Sequence, residues 1–347
     1  HQDYLIKPDD FNIPYDSEKI HGISTELANV RGSGIAEVLT KFNEALGKAK
    51  FVVGQNVLRE MINLTPDTKD SFSEYKDAVD RKDDDSIEKQ ELLSIEKPME
   101  DCYINYKQHF DSNNLENLNA ARVGQQHKDI LLGLYSSDAA IVKHFRMRYF
   151  AQNPQTYNNL CPYCTLSEAN TTEHILPQKK YPEYAVNTLN LIPACSGCNS
   201  KKGDSIIDAV SGKKITINFY TDKLPQEQYL YVDFEVSGNN IKAAYRLENQ
   251  GNKINVEMFS LIERHFSKFD LLNRFNLKAI QEISELRNLY VVEDFSNEAE
   301  YNAFVAKQIR KIKMDMPQLG YNHWKVILYL SAATSDVFKK YILSLSS

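Results

Sequence analysis

The 347-residue sequence has no long hydrophobic run, no excess of basic residues and only five cysteines. Its apolar stretches, such as Val326-Ile327-Leu328-Tyr329-Leu330, fall far short of the ~20 residues a bilayer-spanning helix needs. The opening residues His1-Gln2-Asp3-Tyr4 are polar and no signal-peptide pattern follows. A cytoplasmic protein with no membrane attachment is the resulting expectation. A net charge of −6 excludes binding to polyanions through general basicity, although not through a local site. Internal repeats and low-complexity tracts are also missing, which excludes solenoids.

What is present is ordinary globular material, long enough for about two domains. The charge is segregated. Residues 67–101 hold 13 acidic and 6 basic side chains, whereas residues 141–204 hold 7 basic and 4 acidic ones. The positive stretch coincides with the cysteines. Four of the five form two Cys-x-x-Cys pairs, Cys161/Cys164 and Cys195/Cys198, and Cys102 stands apart. Without a secretory signal, such pairs read as a metal site rather than as disulfides.

The expected fold class is α+β, with four segments. Residues 1–60 read as an α/β fragment, with a short extended piece at Tyr4-Leu5-Ile6, a helix over 35–46 and a buried strand at Phe51-Val52-Val53-Gly54. Residues 61–114 form an acidic helical or linker segment, solvated across 67–101. Residues 115–250 carry helices from about 115 to 150, then the cysteine motif. Alternating strands follow over 214–219, 229–236 and 241–247, with a hairpin turn at Ser237-Gly238-Asn239-Asn240. Residues 251–347 are helical.

The first segment resembles part of the proofreading-type DEDDh exonucleases. Tyr4-Leu5-Ile6-Lys7-Pro8, Ile20-His21-Gly22-Ile23-Ser24 and Phe51-Val52-Val53-Gly54-Gln55-Asn56-Val57 carry the resemblance. The family's metal-binding carboxylates have no counterpart, since Leu58-Arg59 stands where the family has Phe-Asp. The fragment is therefore expected to be non-catalytic. Met61 could itself be a natural start, which leaves open a fusion remnant.

The chemistry lies between Leu160 and Asp204. Two knuckles separated by 30 residues can supply four thiolates to one tetrahedral Zn²⁺, a closed and hence structural site. It would clamp a small unit whose own core is too small to hold it. Four unrelated thiols are the alternative. Between the knuckles, Glu173-His174 places a hard oxygen ligand beside an imidazole at a strand end. Asn190 falls in the loop leading to the second knuckle. Asn199 and Lys202 are three apart after Cys198, so a helix there puts them on one face. Phosphodiester hydrolysis needs such a base, a divalent cation and a positive group.

This segment resembles the HNH, or ββα-metal, endonucleases that carry zinc knuckles. Glu173-His174, Asn190 and Asn199 match its three elements, with Asn199 where His is commoner. The HNH domain of the RNA-guided CRISPR effector nuclease has the same H-N-N order. The resemblance implies His174 as general base, Glu173 and Asn199 as ligands of one Mg²⁺ or Mn²⁺, Asn190 as loop anchor and Lys202 as phosphate contact. The implied substrate is DNA, with RNA left open, and the products carry 5′-phosphate and 3′-hydroxyl ends. Arg146, Arg148 and Lys201 are further candidates for phosphate contacts, although an amphipathic helix that packs Phe145 and Tyr149 inward with its charges in water explains the arginines equally well. Multi-domain HNH proteins also imply a protein partner for the C-terminal helices, such as a separate ATPase in an anti-phage defence system. The competing reading is a catalytically inactive zinc-ribbon module that binds nucleic acid. His127, His265 and His323 sit in ordinary helical contexts and are not expected to act in catalysis.

Overall fold

The structure, a computed structural model, describes residues 25–31, 63–136, 139–153, 159–293, 295–320 and 322–345. The chain divides into two compact units, His1–Val57 and Leu58–Ser347. In the first, the described residues form helix α1, Thr25–Arg31, with Ala28 buried. The expected helix over 35–46, the strand at 51–54 and the exonuclease-like motifs lie outside the described residues.

In the second unit the acidic stretch folds into α2 (Ser71–Asp80), α3 (Ile87–Ser94) and α4 (Glu96–Asp111). Asp70 caps α2 by accepting from the Phe72 and Ser73 amides, and Ser86 caps α3 through the Lys89 amide. α4 buries Met99, Cys102, Tyr103, Tyr106 and Phe110, the spacing of one helical face. Most acidic side chains of 67–101 are exposed or half-exposed on these helices, with two exceptions. Asp67 and Glu74 are buried, and their charge is answered from another segment. Arg148 pairs with Asp67 at 2.7 Å and with Glu74 at 2.8 Å, and Lys69 reaches Glu74 at 2.7 Å.

α5 (Arg122–Gln126), α6 (Lys128–Leu132) and α7 (Ala140–Gln152) follow. Strand β1 (Thr171–His174) then pairs antiparallel with β2 (Leu191–Ala194), with His174 opposite Leu191. α8 (Ser196–Lys202) completes a ββα unit. Beyond it, β3 (Leu230–Ser237) and β4 (Asn240–Leu247) form the expected hairpin. Gly238 takes φ +58 in its two-residue turn, a conformation that only glycine adopts freely.

No strand forms over 214–219, contrary to its alternating pattern. Lys214 makes one isolated bridge to Ile207, and the backbone beyond it bonds elsewhere. The Ile217 amide donates to His265 Nδ1, and Phe219 O accepts from the Leu64 amide. Ile217, Asn218 and Phe219 are buried, but no neighbouring strand offers a ladder.

The chain closes with α9 (Val256–Phe269), α10 (Leu271–Val291), α11 (Glu298–Leu319), α12 (Trp324–Thr334) and α13 (Asp336–Leu345). Two apolar clusters flank the ββα unit. One runs from the knuckles and β2 through β3 and β4 into α9, α10, α12 and α13. The other joins α2 to α7 with Leu176, Tyr181, Tyr184, Val186 and Leu189 of the β1–β2 loop. The small unit is thus held from both sides.

Candidate active site and metal centre

The knuckles turn tightly on their own backbone. The Thr165 amide donates to Cys161 O at 2.8 Å, with Thr165 at φ +53, and the Cys161 amide donates to Ser167 O at 2.8 Å. Cys195 caps α8, its Sγ accepting from the Cys198 amide at 3.3 Å. All four thiols are free and buried, with their sulfurs within 4.8 Å of one another. The Cys164 and Cys195 sulfurs are 3.8 Å apart. Zinc–sulfur bonds of about 2.3 Å at tetrahedral angles put sulfurs about 3.8 Å apart, whereas a disulfide needs about 2.0 Å. The four cysteines are therefore positioned to bind a metal, and their chemistry fits Zn²⁺. Cys102 is buried elsewhere, and burial pushes its thiol up to about 11.

The C-terminal helices brace this centre. His265 of α9 donates from Nε2 to Tyr163 O at 3.0 Å and accepts the Ile217 amide at Nδ1. Trp324 Nε1 donates to Thr165 O at 3.4 Å. Arg274 Nη1 donates to Cys198 Sγ at 3.4 Å, an outer contact of the kind that orients a metal ligand.

With its start fixed by the knuckle, α8 lies across one face of β1. Thr171 and Glu173, two apart in a strand, share that face. Asn199 Nδ2 donates to Thr171 Oγ1 at 3.2 Å, so its amide presents the oxygen as the remaining ligand atom. Lys202 Nζ sits 2.8 Å from Glu173 Oε1 and 2.7 Å from His174 O. Both side chains of this ion pair are buried. Burial raises the Glu173 carboxyl while Lys202 opposes the rise. A carboxylate and an amide oxygen form a hard donor set of the kind Mg²⁺ and Mn²⁺ prefer.

His174 points the other way, into the β1–β2 loop. Its Nε2 donates to Ala185 O at 2.9 Å, which leaves Nδ1 as the basic nitrogen. The Tyr135 ring stands edge-on to the imidazole with centroids 4.5 Å apart. Burial pushes the imidazole down to about 4, so it is neutral near pH 7. Asn190 is fully buried and closes the same loop. Its Oδ1 accepts from the Leu176 amide and the Tyr106 hydroxyl, and its Nδ2 donates to Leu176 O and Tyr184 O.

Glu173, Asn199 and Lys202 thus share the α8 side of one ββα unit, and His174 and Asn190 face its β1–β2 loop. Arg146 and Arg148 do not join them. Arg146 donates to Ala169 O and Thr171 O, and Arg148 is committed to Asp67 and Glu74. Both arginines fasten α7 to its surroundings through these internal bonds. Lys201 is exposed on α8. Tyr106 and Tyr135 reach the site from other segments, and Glu183 lies within the β1–β2 loop; none of the three carries a local motif.

A ββα unit with four clustered cysteines, a Glu-His pair, a loop Asn and an Asn-x-x-Lys helix has the make-up of a ββα-metal fold. Residues 161–205 match the family model described as HNH endonuclease, and this segment is an HNH endonuclease domain. The chain is 29% identical over 191 residues to Protein ea31 of Escherichia phage lambda, covering 51% of the chain and 62% of that protein. It is 45% identical over 51 residues to Septu protein PtuB of Bacillus thuringiensis, covering 13% of the chain and 20% of that protein. The chain therefore spans less than two thirds of the length of either relative. No solved structure matches the chain. Among the described residues no helix is long and apolar enough to cross a membrane.

Proposed function

We propose that this protein is a metal-dependent endonuclease that hydrolyses phosphodiester bonds in DNA. One observation carries the reading: His174, its Nε2 held by Ala185 O, follows in sequence the Glu173 carboxylate that faces α8. His174 Nδ1 takes the proton of the attacking water. Glu173 and Asn199 are the residues that would hold Mg²⁺ or Mn²⁺, which supplies charge neutralisation at the scissile phosphate. Asn190 keeps the loop closed around the imidazole. Lys202 holds the Glu173 carboxylate and the end of β1, because contact with a phosphate would require leaving both partners. Exposed Lys201 is the better placed to meet the nucleic-acid backbone.

The test is cleavage of supercoiled and linear DNA, with an RNA substrate beside them, by zinc-loaded protein across a metal series. Cutting with Mg²⁺ or Mn²⁺ to 5′-phosphate and 3′-hydroxyl ends supports the reading. The buried Glu173–Lys202 pair favours a second one, a zinc-ribbon module that binds nucleic acid without cutting it. Tight binding with no cleavage in any metal selects that alternative. We further propose a cytoplasmic role in anti-phage defence, with the C-terminal helices meeting a protein partner such as an ATPase. Co-purification of the full chain with that partner tests it.

A further inference from the structure

The loop between β1 and β2 presents the carbonyls on which the site turns. Tyr184 O accepts from Asn190 and Ala185 O accepts from His174. Just before them Glu183 is only 1% exposed, although glutamate is rarely fully buried. Its Oε1 accepts a 2.6 Å hydrogen bond from the Ala121 amide, immediately before α5. The rest of the carboxyl lies over Gly124. A Cβ at that position would sit 2.0 Å from Glu183 Oε2 and 2.8 Å from its Cδ. Any side chain at 124 would therefore displace the carboxyl. The same loop is tied to the same segment by Gln125 Nε2 donating to Lys180 O at 2.9 Å and the Tyr181 hydroxyl donating to Leu118 O at 3.0 Å.

We propose that Glu183 is a positioning residue for His174. Its carboxyl, seated between the Ala121 amide and Gly124, fixes the turn whose Ala185 carbonyl holds the imidazole through Nε2. The segment around α5 thereby takes part in building the active site without touching it. Loss of the anchor lets the Ala185 carbonyl shift and frees the ring to turn. A displacement of about 1 Å at a reacting group lowers a rate about 100-fold. The inference rests on the reading of His174 as the base, so its test has an arm independent of cleavage.

The full zinc-loaded chain is compared with Glu183→Ala, Glu183→Gln and Gly124→Ala. kcat and KM are measured on supercoiled plasmid with Mg²⁺, and the ring ¹⁵N shifts of His174 are recorded. Glu183→Ala and Gly124→Ala should lower kcat roughly 10- to 100-fold with KM within about twofold of the parent. In both, the two His174 nitrogen shifts should move towards each other as the tautomers mix. Glu183→Gln keeps the acceptor and the shape, and should retain both the parental kcat and the parental shifts. Parental kcat and shifts in Glu183→Ala would overturn the inference, as would a Gln variant as impaired as Ala. If the parent cuts no DNA, the reading of His174 as base fails, and the ¹⁵N shifts alone decide whether Glu183 positions the ring.

Discussion

Lys202 places one ammonium 2.8 Å from the Glu173 carboxylate and 2.7 Å from the His174 carbonyl, joining α8 to the end of β1. With both partners buried, removal of the lysine leaves an uncompensated carboxylate. Lys202→Ala should therefore lower unfolding free energy by about 3–5 kcal/mol. The double variant with Glu173→Gln should recover most of that loss. Denaturant titrations of the three proteins check this, and a single-variant loss below about 1 kcal/mol contradicts a buried pair.

The knuckles should bind one zinc ion per chain through four thiolates. Cys195→Ser is expected to lose the ion and the cooperative melt, whereas Cys102→Ser should keep both. Metal analysis and thermal unfolding read the result. A Cys195→Ser protein that melts like the parent would show that the unit holds itself together without the clamp.

Much of this site was legible because its information is local. Two Cys-x-x-Cys pairs, a Glu-His pair and an Asn-x-x-Lys spacing fall within one short stretch, and β1 and α8 form where those spacings require them. The hairpin was equally local, since Gly238 marks its turn. Residues 67–101 hold two buried carboxylates, Asp67 and Glu74, that composition does not reveal, because it registers charge but not partners. Arg148 lies 81 positions from Asp67, and nothing near Asp67 announces that pairing. The same distance hides the partners of Arg148. Tyr135 and Tyr106 escaped for this reason too, meeting the motif only after folding, and Glu183 because its partner, the Ala121 amide, lies 62 positions away. Residues 214–219 have strand-like alternation, but alternation signals burial on one face and not the presence of a neighbouring strand.

Arg148 and Lys201 should separate cleanly in experiment. Arg148→Ala removes a cation shared by two buried carboxylates, so it should destabilise the fold by about 3–5 kcal/mol. Lys201→Ala should leave the melt unchanged and weaken DNA binding, reducing the salt slope by about 1. Titrations at several salt concentrations, run beside thermal melts, decide between the roles. A stable Arg148→Ala protein with a reduced slope would restore the arginine as a phosphate contact.

Burial pushes His174, His265 and His323 down to about 4 from an ordinary 6.5. Folding therefore excludes protons that the unfolded chain takes up. Their contribution to stability is present above pH 6.5 and is lost as pH falls towards 4. Near pH 5 the three together should give a slope of about 4 kcal/mol per pH unit. His323→Asn keeps an acceptor for the Lys325 amide and should reduce that slope by about a third. Unfolding free energies at half-unit pH steps measure it, and an unchanged slope means that His323 is not held neutral.

The central claim is that the imidazole of His174, held through Nε2, is the base of a DNA-cutting site. The most direct measurement is the single-turnover cleavage rate of His174→Ala against the parent, with Mg²⁺ present and zinc content and melting matched. The account predicts a loss of at least about 100-fold with the fold intact. A His174→Ala protein that folds, binds DNA and cuts as fast as the parent contradicts it.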